Sequence, residues 1–265
     1  MSIYRPIIKP KKKNPLRQKI GVAYFRLKRH MFWFLSDLRI SEIRKLPLLH
    51  NFFIVKSPLL RNLRDVDPVL EQNKIINLRI ALKKIDGVTV KPGEVFSFWK
   101  MVGNTTARKG YVHGVVLRDG SFASDIGGGL CHLSGLIYWT ALHTPLTVIE
   151  RHRHSYDTTP DKFYGSDATC FYNYKDLMLG NDTDQPFQLE ISIIDDHLVV
   201  AWTTNLRPKF KYELYEKESL IHKEDWGAYT RHNIVHRRKC TMRGEMISDE
   251  FVAENHAIMM YPPEE

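Results

Sequence analysis

The chain carries the stretch Gly127-Gly128-Gly129-Leu130-Cys131-His132, which leads directly into the apolar run at 133–139. Three consecutive glycines let the backbone turn sharply, or approach another backbone closely, just before a helix. This arrangement places the Cys131 thiol near a helix N-terminus, where the helix dipole and the free N–H groups stabilise a thiolate. We therefore interpret Cys131 as a candidate nucleophile and the three glycines as a candidate anion-binding loop.

Segments with strand-like composition lie on both sides of this helix. Alternation and turn residues predict short strands at 52–55, 88–90, 95–99, 111–117, 147–150 and 168–174. A hairpin is predicted over 187–204, and the pattern beyond Pro208 is ragged, with strands at 212–215, 229–235 and 251–260. One helix among mostly antiparallel strands predicts an α+β fold whose sheet packs around the helix that begins at the Gly-Gly-Gly-x-Cys motif.

The N-terminal part of the chain is strongly basic. The 265 residues carry a net charge of +9, but residues 1–64 alone contain 16 Lys and Arg against two acids, so the remainder is mildly acidic. Asn14-Pro15 and Asp67-Pro68 are typical helix starts, and Gly87 ends the second of these helices. We therefore predict a basic helical arm at the N-terminus.

The first of these helices is predicted to be amphipathic. Its apolar positions recur at helical spacing, among five basic residues: Leu16, Ile20, Ala23, Leu27, Met31 and Phe34. Such a helix, over 14–35, suits an anionic membrane surface or nucleic acid, and packing on the main domain is the alternative. Nucleic acid is disfavoured as a partner, because no known module or aromatic stacking platform accompanies the charge.

Cysteine usage and hydropathy bear on the compartment. Three widely spaced cysteines do not make a disulfide framework. No segment is apolar enough to span a bilayer, and no apolar core with a small-residue cleavage site follows the basic start. The sequence therefore predicts a cytoplasmic protein without an export signal or transmembrane segment, with peripheral membrane association as an alternative.

A thiol nucleophile needs a base, and the base needs a partner that orients it. His154 is the candidate base, with His152 as an alternative, and Asp167 is the candidate orienting acid. Papain-like and transglutaminase-like enzymes have the same chain order of Cys, His and Asp, which is an analogy of order alone. The alternatives are a buried Cys131 under a glycine turn, a surface His154 and an Asp167 that caps a turn.

The segment around the histidines also offers ligand-binding groups. Arg151 is a candidate bidentate donor to a carboxylate or phosphate, although it could instead pair with a nearby acid. His152 and His154 are predicted to face the same way on a strand, and with Cys131 they would make three zinc ligands. No Cys-x-x-Cys, His-Glu-x-x-His or nucleotide-binding glycine motif supports a metal or nucleotide, so we predict no cofactor.

Several motifs of the chain resemble those of the VanW family. The resemblance rests on these segments: Arg64-Asp65-Val66-Asp67-Pro68, Asn73, Asn77-Leu78, Lys91 to Trp99, Gly127 to Cys131, Tyr138, His143 to Leu146, Glu150-Arg151, His154-Ser155, Gly165 to Thr169 and Asn181 to Thr183. It covers roughly 60–205 as a block. Together with the charge asymmetry, it divides the chain into a basic helical arm (1–60), a VanW-like α+β domain (61–205) and a strand-rich extension (206–265).

The resemblance implies an association with the cell envelope or with glycopeptide resistance, and it supplies no activity. Relatives usually have Gln after the cysteine, where this chain has His132, so any oxyanion-stabilising role of that Gln is in doubt here. Two hypotheses therefore remain. The first is a Cys131–His154–Asp167 thiol hydrolase or transferase for an amide or peptide-like cell-wall substrate. The second is a non-catalytic module that binds a ligand or docks on a membrane or partner, with His132, Arg151 and His152 beside the glycines in the ligand site.

Overall fold

A computed structural model describes residues 3–10, 14–43, 46–60, 66–158, 165 and 167–263. Arg64, Asp65 and Ser166, which contribute to the family resemblance, lie outside these residues. The α-helices are α1 (Pro15–Leu35), α2 (Pro68–Ile85), α3 (Phe98–Val102) and α4 (Leu130–Leu142). A short 3₁₀ turn spans Ala107–Lys109.

The strands form several mostly antiparallel sheets. They are β1 (Glu42–Ile43), β2 (His50–Pro58), β3 (Val88–Val90), β4 (Val95–Ser97), β5 (His113–Arg118), β6 (Ser121–Ile126), β7 (Thr147–Glu150), β8 (Tyr156–Asp157), β9 (Met178–Gly180), β10 (Phe187–Ile194), β11 (His197–Thr204), β12 (Phe210–Lys223), β13 (Tyr229–Thr241) and β14 (Met246–Met259). The orders are β1-β3-β10-β11-β2, β12-β13-β14-β8, β4-β9-β7 and β5-β6. The predicted α+β class is confirmed.

The predicted central helix forms the inner layer of the molecule. α4 contacts β2, β11 and α2, and it begins at the glycine motif as expected. Leu133, Ile137 and Tyr138 are almost fully buried in one hydrophobic cluster that also contains Trp202 of β11. Each such side chain contributes about 1.5–3 kcal/mol by leaving water, so this packing fixes the position of the helix start.

Helix starts follow the sequence signals. The Asn14 side chain accepts hydrogen bonds from the backbone N–H groups of Leu16 and Arg17, and the Asp67 side chain accepts one from Val69 at 2.9 Å. These caps satisfy N–H groups that have no partner inside their helices. The two helices were therefore predictable from short local patterns.

One predicted strand is shorter than expected, and another is wrong. The segment 95–99 is a strand only to Ser97, because the Ser97 hydroxyl then accepts the Lys100 N–H at 3.2 Å and starts α3. The segment 168–174 forms no strand, because it closes a tight loop in which Phe171 and Lys175 exchange backbone hydrogen bonds at 3.0 Å. Both segments border the candidate site. Contacts made there take the place of hydrogen bonds to a neighbouring strand.

Other predictions differ in extent. Residues 121–126, for which no strand was predicted, form strand β6 opposite β5. The three ragged C-terminal strands are much longer than expected, because β12, β13 and β14 pair along most of their length. The division of the chain into three parts stays a prediction. Strand β2, from the predicted N-terminal arm, pairs with β11 of the predicted central domain.

Candidate active site

The glycine segment delivers Cys131 to the first turn of α4. The helix cap is Gly129, whose φ of 93° is a left-handed conformation that favours glycine. Gly129 has no side chain to cap the helix, so no side-chain hydrogen bond caps the N–H groups at this helix start. The Cys131 side chain is partly exposed there.

Close backbone contact makes Gly128 the most constrained of the three glycines. A Cβ atom at this position would collide with the backbone carbonyl of Gly114 in β5. The fully buried Asn77 side chain ties the two segments together, because its amide donates to Gly128 O at 2.9 Å and to Val112 O at 3.0 Å. Asn77 Oδ1 also accepts the Val112 N–H at 2.9 Å. The loop before Cys131 is therefore held from both sides.

His154 and Asp167 form a short hydrogen-bonded pair. His154 Nδ1 lies 2.6 Å from Asp167 Oδ2, and the same oxygen accepts the His154 backbone N–H at 2.8 Å. Their side chains are about one-quarter and one-third exposed. Because Nδ1 is engaged with the carboxylate, the other ring nitrogen, Nε2, is the one that can serve the thiol.

Arg151 holds this pair in place. Its guanidinium donates to Asp167 Oδ1 at 3.0 Å, and its Nε donates to the Asp167 backbone carbonyl at 2.8 Å. Further N–H groups reach Gly165 O and Asn255 Oδ1 of β14. The predicted ligand-binding arginine is thus engaged with the protein itself, where its role is to fix the carboxylate.

The buried Cys170 lies against Cys131. The two sulfur atoms are 3.8 Å apart, and the Cys131 thiol also lies 3.6 Å from Thr169 Oγ1. The Thr169 N–H donates to the His152 carbonyl at 2.7 Å, which anchors this segment beside the histidines. Cys170 is buried, so it contacts the Cys131 thiol from the interior of the protein.

Electrostatics favour an ionised trio. The pKa of the Cys131 thiol lies well below its ordinary value, because hydrogen bonds from Cys170 and His154 and the charge of His154 outweigh burial. Burial lowers the pKa of His154, but hydrogen bonds and charges of Asp167 and Cys131 raise it to about 10. Burial raises the pKa of Asp167, yet His154 and Arg151 bring it to about 2. These shifts favour the thiolate form of Cys131, the imidazolium form of His154 and the carboxylate form of Asp167.

The trio opens into empty space. Cys131 and His154 line a cavity of about 80 Å³, together with Trp99, Tyr172 and the glycine loop. His154 also borders a cleft of about 1330 Å³ that runs between α1 and the loop at 171–175. His154 lines both spaces, so the cleft adjoins the cavity that contains the thiol.

Two of the predicted ligand-binding residues, His132 and His152, pair with residues other than Cys131. His132 Nε2 lies 2.8 Å from Ser57 Oγ in β2. His152 Nε2 lies 2.9 Å from Glu150 Oε1, so the prediction that His152 and His154 face the same way on a strand is wrong. The segment 151–154 follows β7 as irregular chain, which releases the side chains from the alternation of a strand. Within the described residues, no three His, Cys, Asp or Glu side chains form a metal-binding group.

Three supporting residues escaped sequence reasoning, namely Asn77, Cys170 and Asp176. Asp176 is fully buried, accepts the Ser97 hydroxyl at 2.5 Å and the Trp99 N–H at 2.9 Å, and so fixes the wall of the cavity. Burial raises its pKa to about 6. The available signal for Asn77 was a polar residue on the apolar face of α2. Cys170 and Asp176 gave no comparable local signal.

Cys170→Ala is expected to slow the alkylation of Cys131 by iodoacetamide about threefold at pH 6, because it removes a hydrogen bond to the thiolate. Cys170→Ser keeps a donor and should restore most of the rate. Mass spectrometry of the labelled Cys131 peptide measures both rates, and Cys240→Ala is the matched control because Cys240 is an equally buried cysteine on β13. Equal rates in Cys170→Ala and the wild type would contradict this role.

Comparisons with known proteins agree with the motifs. Residues 73–203 match the model of the family described as VanW like protein. The chain is 30% identical over 200 residues to "Vancomycin B-type resistance protein VanW" of Enterococcus faecalis (strain ATCC 700802 / V583), which covers 74% of this chain and 73% of that protein. It is 31% identical over 125 residues to "Uncharacterized protein YoaR" of Bacillus subtilis (strain 168), covering 47% of this chain and 41% of that protein. No solved structure matches the chain significantly. The chain belongs to the VanW-like family.

Proposed function

We propose that this protein is a thiol-dependent hydrolase or transferase that acts on an amide or peptide-like cell-wall substrate. The observation that carries the proposal is the hydrogen-bonded His154–Asp167 pair beside Cys131, at a helix start that opens into a cavity. A thiolate paired with an imidazolium is the reactive form of a cysteine nucleophile. The orienting carboxylate holds the ring in one tautomer and stabilises its charge.

In the proposed reaction, Cys131 and His154 take part in both half-reactions. The Cys131 sulfur attacks the substrate carbonyl carbon, a C–S bond forms, and the C–N bond breaks as the His154 imidazolium gives its proton to the leaving amine. Water, or an acceptor amine or hydroxyl, then attacks the thioester carbonyl carbon and gives a proton to His154, while the C–S bond breaks and the Cys131 thiolate is released. Asp167 stays ionised throughout, and Arg151 keeps it in place.

Backbone N–H groups at the start of α4 are the proposed donors to the oxyanion. They have no side-chain cap, and the positive end of the helix dipole lies there. The His132 side chain is engaged with Ser57 in β2, so this proposal gives it no oxyanion role. The family's usual Gln at this position is therefore not needed for the chemistry in this chain.

Cleft and family together suggest the substrate class. The cleft beside His154 is lined by aromatic and cationic side chains, namely Phe25, Phe171, Tyr174, Arg17, Arg118 and Lys175. Aromatic faces and cations suit an elongated ligand that carries sugars or carboxylates. A relative is named for vancomycin resistance, which favours a cell-wall precursor over other peptide-like molecules.

Incubation with a panel of peptidoglycan-derived muropeptides tests the proposal by intact-protein mass spectrometry. We expect a substrate-sized adduct on Cys131 that hydroxylamine releases, together with product formation. Both should be lost in Cys131→Ala and kept in Cys240→Ala. Muropeptide binding that is equally tight in Cys131→Ala, with no adduct and no product in the wild type, would reject the enzyme and favour the non-catalytic binding module.

A further inference from the structure

Helix α1 presents an apolar stripe to solvent. Leu16, Ile20, Leu27, Met31 and Phe34 follow one another at spacings of four, seven, four and three residues, so they share one face of the helix. Their exposed fractions are 65%, 62%, 62%, 53% and 87%, and no residue of this helix is buried. A continuous apolar stripe of this size on the outside of a protein marks an interaction surface.

The opposite side of the helix is attached to the body of the protein. Arg29 forms an ion pair with Glu150 of β7 at 2.6 Å, and Arg26 donates to the Tyr172 carbonyl at 2.8 Å. Trp33 packs against the main hydrophobic cluster. These contacts fix the rotation of α1 about its own axis. The apolar stripe therefore faces solvent.

Positive charge borders the stripe on both edges. On a helical projection, Arg17 and Lys28 lie along one edge and Lys19 along the other. In the part of the chain that the structure describes, none of these three residues has an ion-pair partner, and the helix contains no acidic residue. An apolar stripe with cations on both sides matches the interface of a bilayer that contains anionic lipids.

We propose that α1 lies in the surface of an anionic membrane, with its apolar stripe among the lipid chains and its cations at the headgroups. No helix in the described residues is long and apolar enough to cross a membrane. The helix can therefore lie on the bilayer without crossing it. The same helix forms one wall of the cleft that leads to His154, so docking brings the candidate active site to the membrane surface.

Vesicle co-sedimentation of the full-length protein tests this inference independently of any enzymatic activity. We expect at least tenfold stronger partitioning onto phosphatidylcholine vesicles that contain phosphatidylglycerol than onto phosphatidylcholine alone, and weaker binding as salt rises. Lys28→Ala should lower partitioning onto the anionic vesicles about fivefold. Leu27→Glu should lower it more than tenfold, because it puts a charge into the apolar stripe.

Met242→Glu is the matched control, because Met242 has the same exposed fraction as Leu27, 62%, but lies in the turn between β13 and β14. Its partitioning should equal that of the wild type, and thermal melting should show that all variants are folded. No binding to anionic vesicles, or equal binding by Leu27→Glu and the wild type, would overturn the proposal. A wild-type dimer that Leu27→Glu converts to a monomer, without vesicle binding by either, would assign the stripe to a second copy of the chain and also overturn it.

Discussion

His154→Ala is expected to remove the reactivity of Cys131 at acidic pH. In the wild type, hydrogen bonds from Cys170 and His154 and the His154 charge keep the pKa of Cys131 well below its ordinary value, so alkylation should vary little between pH 6 and 9. Without the imidazolium, the midpoint should move toward the ordinary thiol value of about 8.5. The thiolate then becomes scarce at pH 6, but each thiolate is more nucleophilic, so the net loss of rate is roughly tenfold.

The measurement is the second-order rate of iodoacetamide labelling at Cys131 from pH 5 to 10, followed by peptide mass spectrometry. Asp167→Asn should shift the profile in the same direction by a smaller amount, because it removes the carboxylate that stabilises the imidazolium. His152→Ala is the control, since His152 pairs with Glu150. A wild-type midpoint at the ordinary thiol value, or a shift as large in His152→Ala, would contradict the assignment of His154.

We expect the same charges to make folding stability depend on pH in two windows. The folded pKa of His154, about 10, lies above the unfolded value of about 6.5. Its stabilising contribution is therefore complete below about pH 6.5 and is lost as pH rises through 10. The folded pKa of Asp167, about 2, lies below the unfolded value of about 3.9, so its contribution is present above pH 4 and is lost as pH falls through 2.

Local patterns were enough to predict the parts of the fold that local contacts determine. Asn14 and Asp67 cap their helices as expected, and the glycine motif starts α4. These features depend on neighbouring residues, and short-range chemistry is readable from sequence. The α+β class followed from the order of the elements.

Long-range contacts explain what sequence reasoning missed. Asn77 bonds to Gly128 across 51 residues, and Cys170 meets Cys131 across 39, so neither partner can be read from the neighbouring sequence. The strand predicted at 168–174 is wrong because Thr169 bonds to the His152 carbonyl and Phe171 exchanges backbone hydrogen bonds with Lys175 inside a tight loop. The order of Cys131, His154 and Asp167 did suggest a site, whereas the separation of His152 from it depends on how the chain leaves β7.

Gly128→Ala is expected to be among the most destabilising single substitutions near the site. The added Cβ would collide with the Gly114 carbonyl, and neither backbone can move freely. Gly114 is paired with Asp125 in the β5–β6 hairpin, while Asn77 binds the Gly128 carbonyl. We expect the free energy of unfolding to fall by about 3 kcal/mol or more, because the strain lies between two backbones that a side-chain rotation cannot relieve.

Gly135→Ala provides a matched control within α4. Its Cβ would meet Ala168 N at 3.6 Å and Asp167 Cα at 3.8 Å, which are ordinary contacts, and alanine favours a helix over glycine by about 0.5–1 kcal/mol. The melting temperature should therefore fall by roughly 6–12 °C in Gly128→Ala and stay level or rise slightly in Gly135→Ala. If Gly128→Ala instead melts within about 2 °C of the wild type, the close approach of the two backbones does not hold the loop. Alkylation of Cys131 in the folded fraction should slow only in Gly128→Ala, because the glycine loop sets the position of the thiol as well as the stability of the helix start.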